Sequence, residues 1–371
     1  MPSQVSAVDS ISPAFARTKR LLFGPFRLGL WARLAVVALV TGEAGGGGGG
    51  GASLPNLNQN RGGHNHWAAA ARLLNKPDWN QVRPYLPWIV LGALVVLALM
   101  LLWIYSDCVY RFILLESVIT GQCRLREGWR RWREAGRRYM LWVIGYAISS
   151  LVVLGLVIGV PVWLAYSAGW FEKPDDHLGA LIGGGFLLGL VFLALAALLA
   201  VIDLLARDFL VPVMAFEDVG VEDGWRRLWG MLNAEKMAFG GYVVMKIVLA
   251  MGSAIIFTIV NLIVILVLLI PLAILGVAAF FIGKGAGIIW DTPAILLVSG
   301  LGMLGLAGIL YVMGFVYAPG LVFFQSYTLE FFASRYGPLA NRMFPPSPPA
   351  TPPAAPIPPP EPLLPPEPFT A

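Results

Sequence analysis

Charge is what this sequence lacks. Only 13% of its 371 residues are Asp, Glu, Lys or Arg, against roughly 25% in soluble domains. Histidine is nearly missing too, with three copies, and cysteine occurs twice. His64 and His66 form a His-x-His pair with no third ligand nearby, so a polar loop explains them better than a metal site. Cys108 and Cys123 have no metal-ligand spacing and read as packing residues that stay reduced on a cytoplasmic face. G-x-S-x-G, H-E-x-x-H, Walker and aspartate-rich diphosphate motifs are all absent. "GLGMLG" (300–305) has the letters of a dinucleotide loop but sits inside an apolar run, without the strand that loop requires. Nothing argues for an enzyme, and no cofactor or metal is expected.

What replaces the charge is apolar length. Five runs carry no charged residue: Pro84–Ser106, Tyr139–Phe171, His177–Ile202, Ile247–Gly283 and Thr292–Leu329. About 20 apolar residues cross the hydrocarbon core as a helix, so the chain reads as an all-α integral membrane protein. The net charge of +5 then belongs to segments between spans and is no sign of nucleic-acid binding.

An internal repeat organises these runs. At an offset of 96 residues, Asp107 meets Asp203, Arg111 meets Arg207 and Leu114 meets Leu210. Gly128, Trp129, Arg130 and Arg131 meet Gly224, Trp225, Arg226 and Arg227, and Gly145-Tyr146 meets Gly241-Tyr242. Each unit reads as an apolar span, an Asp-x-x-x-Arg pair, an amphipathic Trp/Arg segment and a new span. Two crossings per period make the repeat parallel. Units near 107–202 and 203–298, with partial copies at both ends, predict about six transmembrane helices and interfacial amphipathic helices on the cytoplasmic side. Two places strain that plan. The first apolar piece, near residues 28–42, is bounded by Arg33 and Glu43 and needs snorkelling to cross. Ile247–Gly283 is too long for one span and contains Asn261 and Pro271, so a seventh span is the alternative.

Three domains follow: an interfacial segment at 1–28, a helical membrane domain at 29–342 and a tail at 343–371. The tail holds half of the 28 prolines. It is expected to be disordered with polyproline II character and to offer a protein partner a docking segment. Between the first two spans lies a glycine-rich stretch that composition marks as a loop.

"RLREGWRRWREAGRRYM" (124–140) carries seven arginines. Basic residues retained on the cytoplasmic side set topology, so this segment is expected inside the cell membrane and the acidic stretch near Asp175 outside. On a helix, Trp129, Trp132, Gly136 and Tyr139 share one face beside an arginine stripe. That pattern suits a headgroup layer, with Trp129, Arg130, Arg131, Trp132, Arg137 and Arg138, and Trp225, Arg226 and Arg227 of the second copy, meeting anionic lipids. A partner-binding face is the alternative. Nucleic acid would want the basic face in water, and the tryptophans oppose it.

Charges inside apolar surroundings are the remaining signal. Asp107 with Arg111 and Asp203 with Arg207 stand four residues apart and read as structural pairs, with a lipid-phosphate or ion site as the alternative. Lys246 lies well inside a span, where an unpaired charge is costly, and Asp203 is its expected partner. Gly155/Gly159 and Gly185/Gly189 suggest close helix packing through small residues.

"YSDCVYRFILLESVITG", "GWRRWREAGRRYMLW", "RDFLVPVMAFEDVGVEDGWRRLW" and "VFFQSYTLEFFASRYG" resemble uncharacterised bacterial multi-pass membrane proteins, distantly similar to the membrane domain of glycerophosphodiester phosphodiesterases. The resemblance implies a six-helix cytoplasmic-membrane protein of unknown activity. The soluble barrel that carries that enzyme's chemistry is absent, so its hydrolysis is not implied. Two readings of function stand: a non-catalytic scaffold or partner-regulating module, and a carrier of a lipid or small solute through the bundle.

Overall fold

The structure is a computed structural model that describes residues 6–24, 27–41, 83–171, 177–285 and 292–344. The glycine-rich stretch, His64, His66, the acidic loop around Asp175 and the tail beyond Phe344 lie outside the described residues. Every regular element among the described residues is helical. In order they are α1 (Ile11–Phe23), α2 (Leu28–Val40), α3 (Leu86–Thr120), α4 (Leu125–Ser167) and α5 (Leu178–Leu205). A π-helical turn (Ala206–Leu210) joins α5 to α6 (Val211–Glu217). Then follow α7 (Val221–Ala234), α8 (Lys236–Gly285), α9 (Thr292–Ala333) and α10 (Gly337–Met343).

Five stretches are long and apolar enough to cross a membrane: Arg83–Thr120, Leu125–Ser167, Leu178–Glu217, Lys236–Ala279 and Val298–Ala333. A helix is the natural solution in lipid, because it satisfies its own backbone polar groups. The sixth apolar helix, α2, has 13 residues, about 20 Å at 1.5 Å per residue, which is short of a full crossing. Leu34, Ala35, Val37 and Ala38 of α2 are fully buried, with α9 as the main neighbour. Its apolar face is spent on protein, so length was a poor guide to its role.

The long run in α8 also resolves differently from expectation. Residues Lys236–Gly285 form one unbroken helix of 50 residues, with Pro271 inside it. Asn261 donates from Nδ2 to the Tyr317 hydroxyl on α9, so its amide has a partner within the protein. Neither residue ends the helix, and no extra span arises there.

Packing is concentrated at one end of the long helices. Cys108 to Val118 of α3, Tyr139 of α4, Leu205 to Met214, Phe239 and Tyr242 of α8, and Ala318 to Ala333 of α9 form one core with α1 and α2. The other halves are apolar and exposed: Leu94 and Leu102 on α3, Leu151 and Leu156 on α4, Leu187 on α5, Met251 on α8 and Leu304 on α9. An exposed apolar surface this extensive marks an interaction surface rather than a water-facing one.

Glycine permits the closest approaches in the core. A Cβ at Gly136 would come within 2.5 Å of Val109 Cγ2, one at Gly128 within 2.9 Å of Ile113, and one at Gly314 within 2.7 Å of the Ala35 carbonyl oxygen. The small-residue pairs expected to pack behave differently. Gly155, Gly159, Gly185 and Gly189 have no neighbour within 4 Å of where a Cβ would stand, among the described residues. They lie on the exposed apolar halves, where a small residue leaves the surface open.

Candidate functional site

The arginine-rich stretch forms the first half of α4 rather than a separate interfacial helix. Its tryptophans turn toward α3. Trp129 meets the rings of Tyr105 and Tyr110 edge-on at 5.5 and 5.6 Å, and Trp132 stacks on Phe112 at 5.6 Å. Trp132 Nε1 donates to Glu116 at 2.6 Å, and Arg131 Nη1 meets the other oxygen of that carboxylate at 2.7 Å. The rings therefore fill an intramolecular seam, because aromatic partners on α3 lie within reach. The arginines stay outside: Arg130, Arg131 and Arg137 are exposed and Arg138 half-buried. Arg137 pairs with Glu134 at 3.0 Å and Arg138 with Asp218 at 3.3 Å. In α7, Trp225 is half-buried against Trp142 at 5.7 Å, while Arg226 and Arg227 are exposed and pair with Asp223 and Glu217. Exposed ion pairs of this kind add little to stability, about 0–1 kcal/mol each.

A second cluster is buried. Arg111 donates to Asp107 from Nε and Nη2 at 3.2 and 3.1 Å, and Arg207 reaches Asp203 at 3.0 Å from Nε and 2.6 Å from Nη2. These are one-turn pairs, in which residues four apart face each other. Lys246 does not join Asp203. Its ammonium lies 2.6 Å from both oxygens of Asp208. Asp203 is already engaged by Arg207, and Asp208 is the carboxylate presented to α8.

Local backbone chemistry explains that presentation. Pro212 lacks an N–H, and its ring crowds the carbonyl four residues earlier, on Asp208. The helix answers with a wider turn, closed by the Val211 N–H bonding the Ala206 carbonyl, five residues back. Such π turns are rare and recur at functional sites. Successive residues Arg207 and Asp208 thereby reach the same cluster. Tyr242 completes it, donating to Asp208 Oδ2 at 2.9 Å and meeting the Thr328 hydroxyl at 2.7 Å. Arg111, Asp208, Lys246 and Thr328 are each less than a tenth exposed. A charge pair so placed needs its hydrogen bonds, because an uncompensated one costs several kcal/mol.

Arg111, Arg207, Asp208, Lys246, Gln325 and Thr328, with apolar neighbours, enclose a cavity of about 20 Å³. Asp208 and Thr328 carry no signal in the sequence at the level of spacing, and Tyr242 stands out only as the counterpart of Tyr146 at the offset of 96. The clue available was the pairing of a lone lysine in an apolar run with the only acid that directly follows an Asp-x-x-x-Arg pair. No group of three or more His, Cys, Asp or Glu suited to a metal occurs among the described residues.

Fold and site together define a helical protein with five helices able to cross a membrane, gathered on a packed core around a buried ionic cluster. Within that class, the chain belongs to a family of unknown function (DUF7544), which matches residues 5–341. No curated protein and no solved structure matches it. The match brings no activity with it, and it supports neither the expected likeness to the phosphodiesterase membrane domain nor a bacterial origin.

Proposed function

We propose that this chain is a non-catalytic, multi-pass protein of the cell membrane that works as a scaffold or partner-regulating module. The observation that carries this reading is the contrast between its two ends. The apolar halves of the long helices are exposed along their length, as lipid-facing surface would be. At the other end the helices pack on one core, whose buried polar cluster surrounds about 20 Å³, room for a water-sized species, while the wider grooves of about 290 and 370 Å³ lie at its surface, along Glu116 and Arg131 and along Arg27 and Arg33. In this reading five helices cross fully and α2 is a sixth, partial segment. The arginine-rich half of α4, with α7, faces the cytoplasm, and the exposed guanidinium groups of Arg130, Arg131 and Arg137 meet anionic headgroups. Each basic residue near such a leaflet contributes about 1 kcal/mol of attraction. The proline-rich tail is the segment available to a protein partner.

The repeat belongs to this proposal, with one amendment. Gly121 after α3 and Asp218 after α6 both take left-handed backbone conformations, with φ of 70° and 48°. They stand 97 residues apart, not 96. A Cβ at Gly128 would strike Ile113, and one at Gly224 would strike Leu210 at 2.7 Å, again a 97-residue correspondence. Arg111 and Arg207 keep the offset of 96. Between them the second unit therefore holds one residue more, Asp208, taken up by the π turn. The loop before α7 is one residue shorter than the loop before α4, which restores the register. The lysine partner, Lys246, stands where the first unit has Ser150. The ion pair is thus an addition to one copy of a shared plan.

A carrier remains the second reading, favoured by the same buried charges. The two separate cleanly in proteoliposomes. Efflux of trapped small anions and scrambling of fluorescent phospholipid should match protein-free vesicles if the chain is a module. Flux that scales with protein content would move the assignment to a carrier.

A further inference from the structure

We infer that the cavity between α3, the π turn, α8 and α9 is a binding site for a single halide-sized anion. Its wall brings three cationic side chains, Arg111, Arg207 and Lys246, against one carboxylate, Asp208. Asp107 and Asp203 hold the arginines one helical turn away and are not part of the wall. Each arginine spends Nε and Nη2 on its aspartate. At Arg207 this leaves Nη1, which is buried and donates to nothing among the described residues. A buried guanidinium N–H without an acceptor is costly, more so than a neutral donor, and native proteins rarely leave one in that state. The Gln325 side chain and the Thr328 hydroxyl add polar surface to the same wall.

Size limits the occupant. The cavity of about 20 Å³ exceeds the ~10–15 Å³ that one water-sized sphere requires. A space of this size suits a monatomic anion better than a phosphate or carboxylate. A metal cation would find one carboxylate on the wall, Asp208, and that one is already held by Lys246 and Tyr242. Chloride or bromide meets both demands: it would offer the buried Arg207 Nη1 an acceptor, against a wall on which cationic groups outnumber the carboxylate. The surrounding elements come from four separate parts of the chain, so a bound anion would tie α3, the π turn, α8 and α9 together. The site does not rest on the scaffold reading, since a static anion can serve a module or a carrier equally.

Chloride-dependent stability of the purified full chain tests this directly. Thermal unfolding in detergent is followed at constant ionic strength as sodium gluconate is replaced by sodium chloride or sodium bromide. A saturable rise in the midpoint with either halide is expected, because a ligand that binds only the folded state stabilises it. Chloride-35 line broadening of the unheated protein gives an independent reading of binding. Arg207→Gln should weaken the apparent chloride affinity roughly tenfold or more, the size of one charge-assisted hydrogen bond. If Arg207→Gln does not fold, the Asp203→Asn/Arg207→Gln double variant removes the stranded carboxylate and takes its place. Equal stability in gluconate and halide, with no line broadening, means the cavity holds water and overturns the site. Halide dependence that persists unchanged in the variant overturns it as well.

Discussion

Lys246 of α8 and Asp208 of the π turn form a bidentate ion pair, with 2.6 Å from the ammonium to each carboxylate oxygen. Both groups are buried, 4% and 8% exposed, and they come from helices separated by two loops. Removing either partner strands the other. Lys246→Met and Asp208→Leu are each expected to destabilise by about 3–5 kcal/mol. Replacing both by apolar residues should recover most of that loss, because a buried pair is often no more stabilising than well-packed hydrophobes. Unfolding of the three variants in detergent checks this. Strictly additive losses would mean that the two side chains do not interact. Asp203→Asn should show little coupling to Lys246→Met, since Asp203 serves Arg207.

The glycines make a second, independent prediction. At Gly136 and Gly314 an added methyl group meets the Val109 side chain and the Ala35 carbonyl. Alanine at either position is expected to cost about 1–3 kcal/mol, the usual range for overpacking. Alanine at Gly155 or Gly185, which face open space among the described residues, should be neutral or mildly stabilising through helix propensity. Melting temperatures of the four variants would separate the sets. Loss of stability at Gly155 or Gly185 would show that a neighbour packs there in the membrane.

Thiol chemistry provides a third check. Cys108 and Cys123 are both buried, and burial pushes the Cys123 thiol above its ordinary range, with the neighbouring Ser117 and Arg33 opposing the shift. The thiolate is the reactive form, so at neutral pH maleimide should label neither residue in the folded protein. Denaturant should expose two thiols per chain. Rapid labelling of the native protein would contradict the packing of α3 against α2 and α4.

Much of the architecture was legible from composition and period. The long uncharged runs announce helices that can cross a membrane, because each exceeds the ~20 apolar residues a crossing needs. The Asp-x-x-x-Arg spacing announces one-turn pairing, because residues four apart share a helical face. Three things were hidden. The burial of α2 depends on the approach of α9 at Gly314, which no local pattern reports. Tryptophans beside arginines look alike whether they meet lipid or the rings of Tyr105 and Phe112. The choice of Asp208 over Asp203 by Lys246 depends on the π turn at Ala206–Leu210, which no spacing in the sequence reports.

The proposed orientation, with the arginines on the cytoplasmic side, makes a further prediction. Cysteine introduced at Arg126 is expected to react with membrane-impermeant maleimide only in inverted vesicles, and cysteine at His177 only from outside the intact cell. The opposite pattern would reverse the sidedness while leaving the fold untouched.

Lipid exposure of the apolar helix halves is the point on which the whole account turns. Spin labels at Leu94, Leu156, Leu190, Met251 and Leu304, all exposed in the structure, can be compared in bilayers with a label at the exposed Arg130. Strong relaxation by oxygen and weak relaxation by a water-soluble nickel complex are expected at the five apolar positions, with the reverse at Arg130. Strong nickel accessibility at the apolar positions, or shielding from both agents, would contradict it.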